Sequence, residues 1–268
     1  MTLSVDELLA ERSRACRLTP DRALHTFDEA LSFLADRGML TRTPDCALPS
    51  LFEACHEEPY LPGGRGFASW PKTKYSWAGE LDNHPDCLTL KIHNGKNLLL
   101  HGAGIVAVAP ICLSELERME GDDPDWRRLL RHLTDAGPST LEDVQLELGL
   151  KPKELRATRS PLERCGAIVA RQRVLPAGSG PDGPDGHVHT SELARFDQVF
   201  TGSARRGAAE AVEDFLVAGV RAAIVAPEKE LQKWFSWRPL INGALVDRLC
   251  EQGRIVRVGG DLIAAAPA

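Results

Sequence analysis

The chain has 268 residues, 43% hydrophobic and 26% charged, a composition that excludes a mostly disordered protein and allows two to three small domains. Its 32 basic and 38 acidic residues leave a net charge of −6, which excludes a protein basic throughout but not a local basic stripe. No run approaches the ~18 apolar residues of a membrane span, and residues 1–7 lack the marks of a secretory signal, so a cytoplasmic protein without membrane contact is expected.

Val5, Leu8 and Leu9 sit at helical spacing. Thr19-Pro20 combines a capping hydroxyl with a ring that suits a first helical position, and predicts a helix start. Leu24, Phe27, Leu31 and Leu34 then predict one buried helical face, stopped by Gly38 before a strand at Met39-Leu40-Thr41. Further on, apolar runs at 88–92 and 97–100 flank His93-Asn94-Gly95-Lys96, and Asn-Gly between such runs predicts a hairpin. Residues 105–109, after Gly102-Ala103-Gly104, read as a third strand. That glycine pair lacks the third glycine and the following long helix of a dinucleotide loop and reads as a turn.

Trp126, Leu129, Leu130 and Leu133 predict a helix ended near Gly137-Pro138, and Thr140 with Asp143 a capped start for a helix carrying Leu141, Val144 and Leu148. A third helix is expected within 153–165, interrupted in pattern by Pro161, followed by Gly166 and a strand at 167–170. Residues 176–187, with three prolines and four glycines, read as a mobile loop before a returning strand from Val188. Ala208, Ala211, Val212, Phe215 and Leu216 trace another helical face with Gly219 placed to cap it. A short helix after Pro227 and one carrying Leu240, Ile241, Ala244, Leu245, Val246 and Leu249 lead to a hairpin turning at Gly259-Gly260. Helices followed by a two-stranded hairpin are the winged form of helix-turn-helix. The expected fold class is mainly α (α+β): tandem winged-helix modules at 1–60, 113–200 and 201–268, with a small antiparallel sheet at 61–112 between the first and second.

Seven cysteines, odd in number and without a C-x-x-C pair, predict reduced thiols. The spacings among Cys46, Cys55, His56, His84 and Cys87 fit no zinc pattern, and no G-x-S-x-G, H-E-x-x-H or P-loop string occurs, so no metal and no cofactor are expected. Two segments carry binding chemistry. Residues 63–81 interleave Arg65, Lys72 and Lys74 with Tyr75, Trp77 and Trp70, a pattern suited to phosphates and an unstacked base, or to tryptophans sealing a module junction. Residues 151–173 hold seven basic side chains, among them Lys151, Lys153, Arg156, Arg159, Arg171 and Arg173, against two acids, whereas 113–149 holds ten acids against four arginines. The basic window falls on the expected recognition helix and wing of the second module, where it would neutralise phosphates. Arg205, Arg206, Lys233 and Arg238 could extend that surface. Double-stranded DNA is the expected partner, in a nucleoid-associated role, with a protein partner as the alternative for a scaffold or transcriptional regulator.

These three tandem units, the connecting sheet and the segment Trp70-Pro71-Lys72-Thr73-Lys74-Tyr75-Ser76-Trp77-Ala78-Gly79-Glu80-Leu81 resemble the winged-helix DNA glycosylase superfamily of the AlkZ/YcaQ kind, particularly its shorter AlkZ-related members. The resemblance implies a basic concave surface that grips duplex DNA, and excision of alkylated or crosslinked bases. The family performs that excision with a Gln-apolar-Gln or Gln-apolar-Asp motif early in the chain. The first module here has no such string; the nearest is Gln145-Leu146-Glu147, in a predicted helix of the second, and no catalytic residue is assigned.

Overall fold

The computed structural model describes residues 4–176, 187–202 and 207–266. Most of the expected loop at 176–187, and the pair Arg205-Arg206, lie outside the described residues. Helix α1 (Val5–Ala15) starts at Ser4, whose hydroxyl accepts from the Glu7 amide while the Glu7 carboxylate accepts from the Ser4 amide. Thr19-Pro20 opens only a single 3-10 turn, Pro20–Arg22, without a side-chain cap. The helix expected there begins later, as α2 (Phe27–Arg37), because Thr26 and Glu29 form a reciprocal capping box that satisfies the orphan amides of its first turn. Leu24 is buried ahead of the helix, its amide bonded to the Ala54 carbonyl. Gly38, at φ +74, ends α2 and passes into β1 (Met39–Thr41).

After α3 (Leu51–Ala54) and α4 (Trp77–Asp82) come β2 (Cys87–His93) and β3 (Lys96–His101). Asn94 and Gly95 both have positive φ, as a tight hairpin turn demands. The third strand of this sheet is β1, not residues 105–109: the order is β1-β3-β2, all antiparallel, with Met39 opposite Leu100. Residues 105–109 belong to α5 (Ala103–Asp122). Read alone, Ile105-Val106-Ala107-Val108-Ala109 looks like a strand. Read through to Met119, the buried positions Val108, Cys112, Leu116 and Met119 keep helical spacing while Val106 is 65% exposed. Pro110 inside α5 deprives only the carbonyl of that solvent-facing Val106 of its helical donor. A long helix therefore does follow Gly102-Ala103-Gly104. Yet the second glycine serves packing rather than a phosphate, since a Cβ at Gly104 would lie 2.5 Å from the Gly38 carbonyl oxygen.

Helix α6 (Pro124–Ala136) is capped by Asp123. It is followed by β4 (Ser139–Thr140), α7 (Leu141–Leu148), α8 (Pro152–Cys165), β5 (Ile168–Pro176), β6 (His187–Arg195) and α9 (Phe196–Val199), with sheet order β4-β6-β5. Pro161 is accommodated within α8, where the carbonyl it leaves open belongs to exposed Ala157. The last part holds α10 (Ala208–Ala223), β7 (Val225–Pro227), α11 (Glu228–Trp234), α12 (Gly243–Glu251), β8 (Ile255–Gly259) and β9 (Leu262–Ala265), with order β7-β9-β8. Gly219 does not cap α10 but lies inside it, where a Cβ would come within 3.1 Å of the Trp234 ring; the helix ends at Ile224. Three times, then, a helix leads to a short strand, two further helices and a hairpin whose second strand pairs with the short one. The mainly α, α+β class is as expected.

The core shows how these units join. Leu88 and Leu98 of the first sheet share one apolar cluster with Val108 and Ile111 of α5, Phe215 and Val220 of α10, and Trp234. The C-terminal half of α5 instead lends Leu116 and Met119 to the cluster of α6, α7, α8 and β6, which includes Leu129, Leu133, Leu162 and Leu193. One long helix thus spans two cores, which fixes the middle unit against the others.

Candidate nucleic-acid interface

Helix α8 buries Leu155, Thr158 and Leu162 and turns Lys153, Arg156 and Arg164 to solvent. These cations lie within a row spaced three to four residues apart that runs through Ser160 along one helix face. Lys151, at the N-cap, is exposed beside them. None of the side chains of Lys151, Lys153 and Arg156 has a carboxylate partner among the described residues, and Glu154 spends its carboxylate on the Lys151 amide, 2.8 Å away. Arg171, half-buried on β5, likewise has no ion pair there. Arg65 and Lys72, in the loop before α4, are exposed and have no acidic partner among the described residues.

Other expected contacts are already committed. Arg159 lies 2.6 Å from Glu163, a buried carboxylate that also takes Lys91 at 2.9 Å, so Arg159 serves the α8–β2 junction and presents no free charge. Arg173 pairs with Glu192 across the β5–β6 ladder at 2.8 Å. Lys74 points inward, donating to the Leu24 carbonyl at 2.6 Å and the Cys55 carbonyl at 3.4 Å, with Trp77 beneath its ammonium. Trp77 itself packs on the core of α2 and α4. Lys74→Met is therefore expected to lower folding stability by about 1–3 kcal/mol, read as a lower urea midpoint.

The loop ahead of α4 carries an aromatic cluster that the expectation only partly covers. Phe67 lies 5.3 Å from Tyr60, 5.1 Å from Trp70 and 5.2 Å from Tyr75, between ring centroids. Tyr60, Phe67 and Tyr75 remain 49%, 47% and 38% exposed. Arg42 sits over the Trp70 ring at 4.2 Å and anchors the inner side of the cluster. Tyr60 lies outside the run 63–81, and Phe67, within it, gives no separate signal in sequence.

Asp82, at the end of α4, is buried and accepts the Gln172 amide of β5, tying the first sheet's helix to the second sheet's edge. Its Oδ1 and the nearby Thr89 hydroxyl form no well-aligned hydrogen bond among the described residues. Burial raises its carboxyl above the usual range, opposed by the Gln172 amide, next by the Thr89 hydroxyl and then by the charges of Arg171 and Lys91. An acid raised in the folded state favours folding fully below the unfolded value, and that contribution is lost as pH rises through the folded one. Asp82→Asn keeps the acceptor and cannot ionise. Its stability relative to the parent is expected to improve between about pH 3 and about pH 7; an equal difference at both ends would contradict this.

All seven cysteines are free. Burial pushes the thiols of Cys46 and Cys87 up to about 11 and those of Cys55 and Cys165 up to about 12, so none of these four is a thiolate nucleophile at neutral pH. Among the described residues no three His, Cys, Asp or Glu side chains converge as a metal site. Gln145-Leu146-Glu147 lies on the outside of α7, with Leu146 80% exposed.

No helix among the described residues is long and apolar enough to cross a membrane. No protein-family model and no curated protein matches the chain. Among solved structures it is similar to Streptomyces sahachiroi DNA glycosylase AlkZ, with a TM-score of 0.54 and 14% sequence identity over 98% of this chain and 70% of that one. The relation is one of fold: this chain has an AlkZ-like architecture along nearly its whole length.

Proposed function

We propose that this protein binds double-stranded DNA through winged-helix modules and belongs functionally with DNA repair. In this reading the hairpin sheet at 61–112 acts as the wing of the first module, and 113–200 and 201–268 are the second and third. The observation that carries it is the exposed face of α8, where Lys151, Lys153 and Arg156 stand without acidic partners among the described residues, in a chain of net negative charge. Arg171 and the loop residues Arg65, Lys72 and Tyr75 extend the surface, while Lys74, Arg159, Arg173 and Trp77 hold the scaffold beneath it. Cations so placed bind phosphates by releasing counterions. The triple variant K151E/K153E/R156E, checked for folding by circular dichroism, is expected to lose mixed-sequence duplex binding at moderate salt. Unchanged binding would overturn the proposal. Binding only to a protein, with no DNA shift at low salt, would favour a scaffold built on the exposed Tyr60 and Phe67 patch.

A second reading, excision of alkylated bases, rests on the likeness in fold to AlkZ. It predicts abasic sites in alkylated duplex incubated with the protein. Intact DNA across several lesion types would set it aside.

A further inference from the structure

Where α8 ends, the hairpin turn of the first sheet meets the segment after α11, and Asn94 joins them. Its side-chain amide donates to the Lys233 carbonyl, and its Oδ1 accepts from Arg238 Nε at 3.2 Å and Nη2 at 2.9 Å. Its backbone carbonyl faces Arg164 Nη2 at 3.4 Å. Two guanidinium groups are therefore gathered on two neutral oxygens of one residue, the side-chain and the backbone carbonyl of Asn94, and neither has a carboxylate partner among the described residues. A neutral acceptor fixes their positions without cancelling their charge.

They rim a cleft of about 740 Å³, a size suited to small ligands. Trp126, Pro161, Pro239 and Leu240 supply much of its apolar wall. Glu115 also lines it, but lies 2.7 Å from Arg118, which holds Asp122 as well. The walls are braced: the Trp237 indole donates to the Cys165 carbonyl at 3.2 Å and the Ser236 amide to the Ile92 carbonyl at 2.8 Å. A cavity with an apolar wall and a paired cationic rim is complementary to a planar molecule bearing one phosphate.

We propose that this cleft binds a nucleotide, its phosphate held between Arg164 and Arg238 and its base against the apolar wall. The nucleotide is either free or displaced from a strand lying on the basic face of α8, which ends at Arg164. The second source rests on the duplex-binding reading; the first does not.

The test titrates the full chain with dAMP by calorimetry. In parallel, affinity is measured for a duplex carrying one extrahelical nucleotide and for its fully paired counterpart. The variant R164Q/R238Q removes both charges and keeps hydrogen-bonding side chains. Saturable dAMP binding, weakened about tenfold or more in the variant, supports the site with a free ligand. A preference for the extrahelical nucleotide that disappears in the variant, whose affinity falls more for that duplex than for the paired one, supports it with a DNA-borne one. Neither dAMP binding nor such a preference, or adenosine binding as tightly as dAMP, overturns the proposal. Loss of paired-duplex binding by the parent would sink the duplex reading alone, since the dAMP arm still decides the cleft.

Discussion

Replacing Glu163 with glutamine is expected to lower folding stability by about 2–4 kcal/mol, somewhat below the usual cost of breaking a fully buried pair because Lys91 is partly exposed. Glu163 is 5% exposed and takes Arg159 on one oxygen and Lys91 on the other. Arg159 belongs to its own helix, one turn back, but Lys91 comes from β2, so this carboxylate fastens the second unit to the first sheet. Glutamine leaves two neighbouring cations with no charge between them and turns an NH2 donor toward one of them, a cost that the single hydrogen bond its amide oxygen can still accept does not cancel. A urea midpoint within error of the parent would show that solvent reaches this junction more freely than its burial implies.

Gly166→Ala is the second large effect. Gly166 caps α8 at φ +87, and a Cβ built there would lie 2.5 Å from the Sγ of wholly buried Cys112 and 3.4 Å from Ile92. The left-handed backbone costs a side chain about 1–2 kcal/mol, and overpacking adds about 1–3 kcal/mol. Adding Cys112→Ala should recover the overpacking part and leave the backbone part. Full recovery would assign the whole loss to sterics, and none would assign it to the backbone alone. Gly166 links the proposed DNA-binding helix to β5, so a shifted cap would displace α8 relative to Arg171.

What could be read in advance follows the range of the interactions. Caps and stops act within four residues. Thr140 with Asp143, Gly38, Gly166 and the Asn94-Gly95 turn therefore appeared where their local chemistry placed them. Thr19-Pro20 misled because the same chemistry occurs more fully at Thr26, where Glu29 completes the box. The stretch 105–109 misled because five residues are too few to separate periods of 2 and 3.6. Gly219 looked like a cap because its real partner, the Trp234 ring, lies on another helix.

Charge was the least legible property. Which cations are free depends on partners distant in sequence: Glu163 for Lys91, Glu192 for Arg173, the Leu24 carbonyl for Lys74. Only the accumulation of basic residues along 151–173 was available from the chain itself. The gathering of Arg164 and Arg238 on Asn94 depends on tertiary contacts that no local pattern encodes.

The most direct test of the central claim is the salt dependence of duplex affinity for the parent chain, measured by fluorescence anisotropy from low to moderate salt. Each neutralised phosphate contributes a slope of about −0.9 in log K against log salt. Engagement of Lys151, Lys153, Arg156 and Arg171 therefore predicts a slope of about −3 to −4. A slope near zero, or no duplex binding at the lowest salt, would contradict an interface built on the cations of α8 and β5.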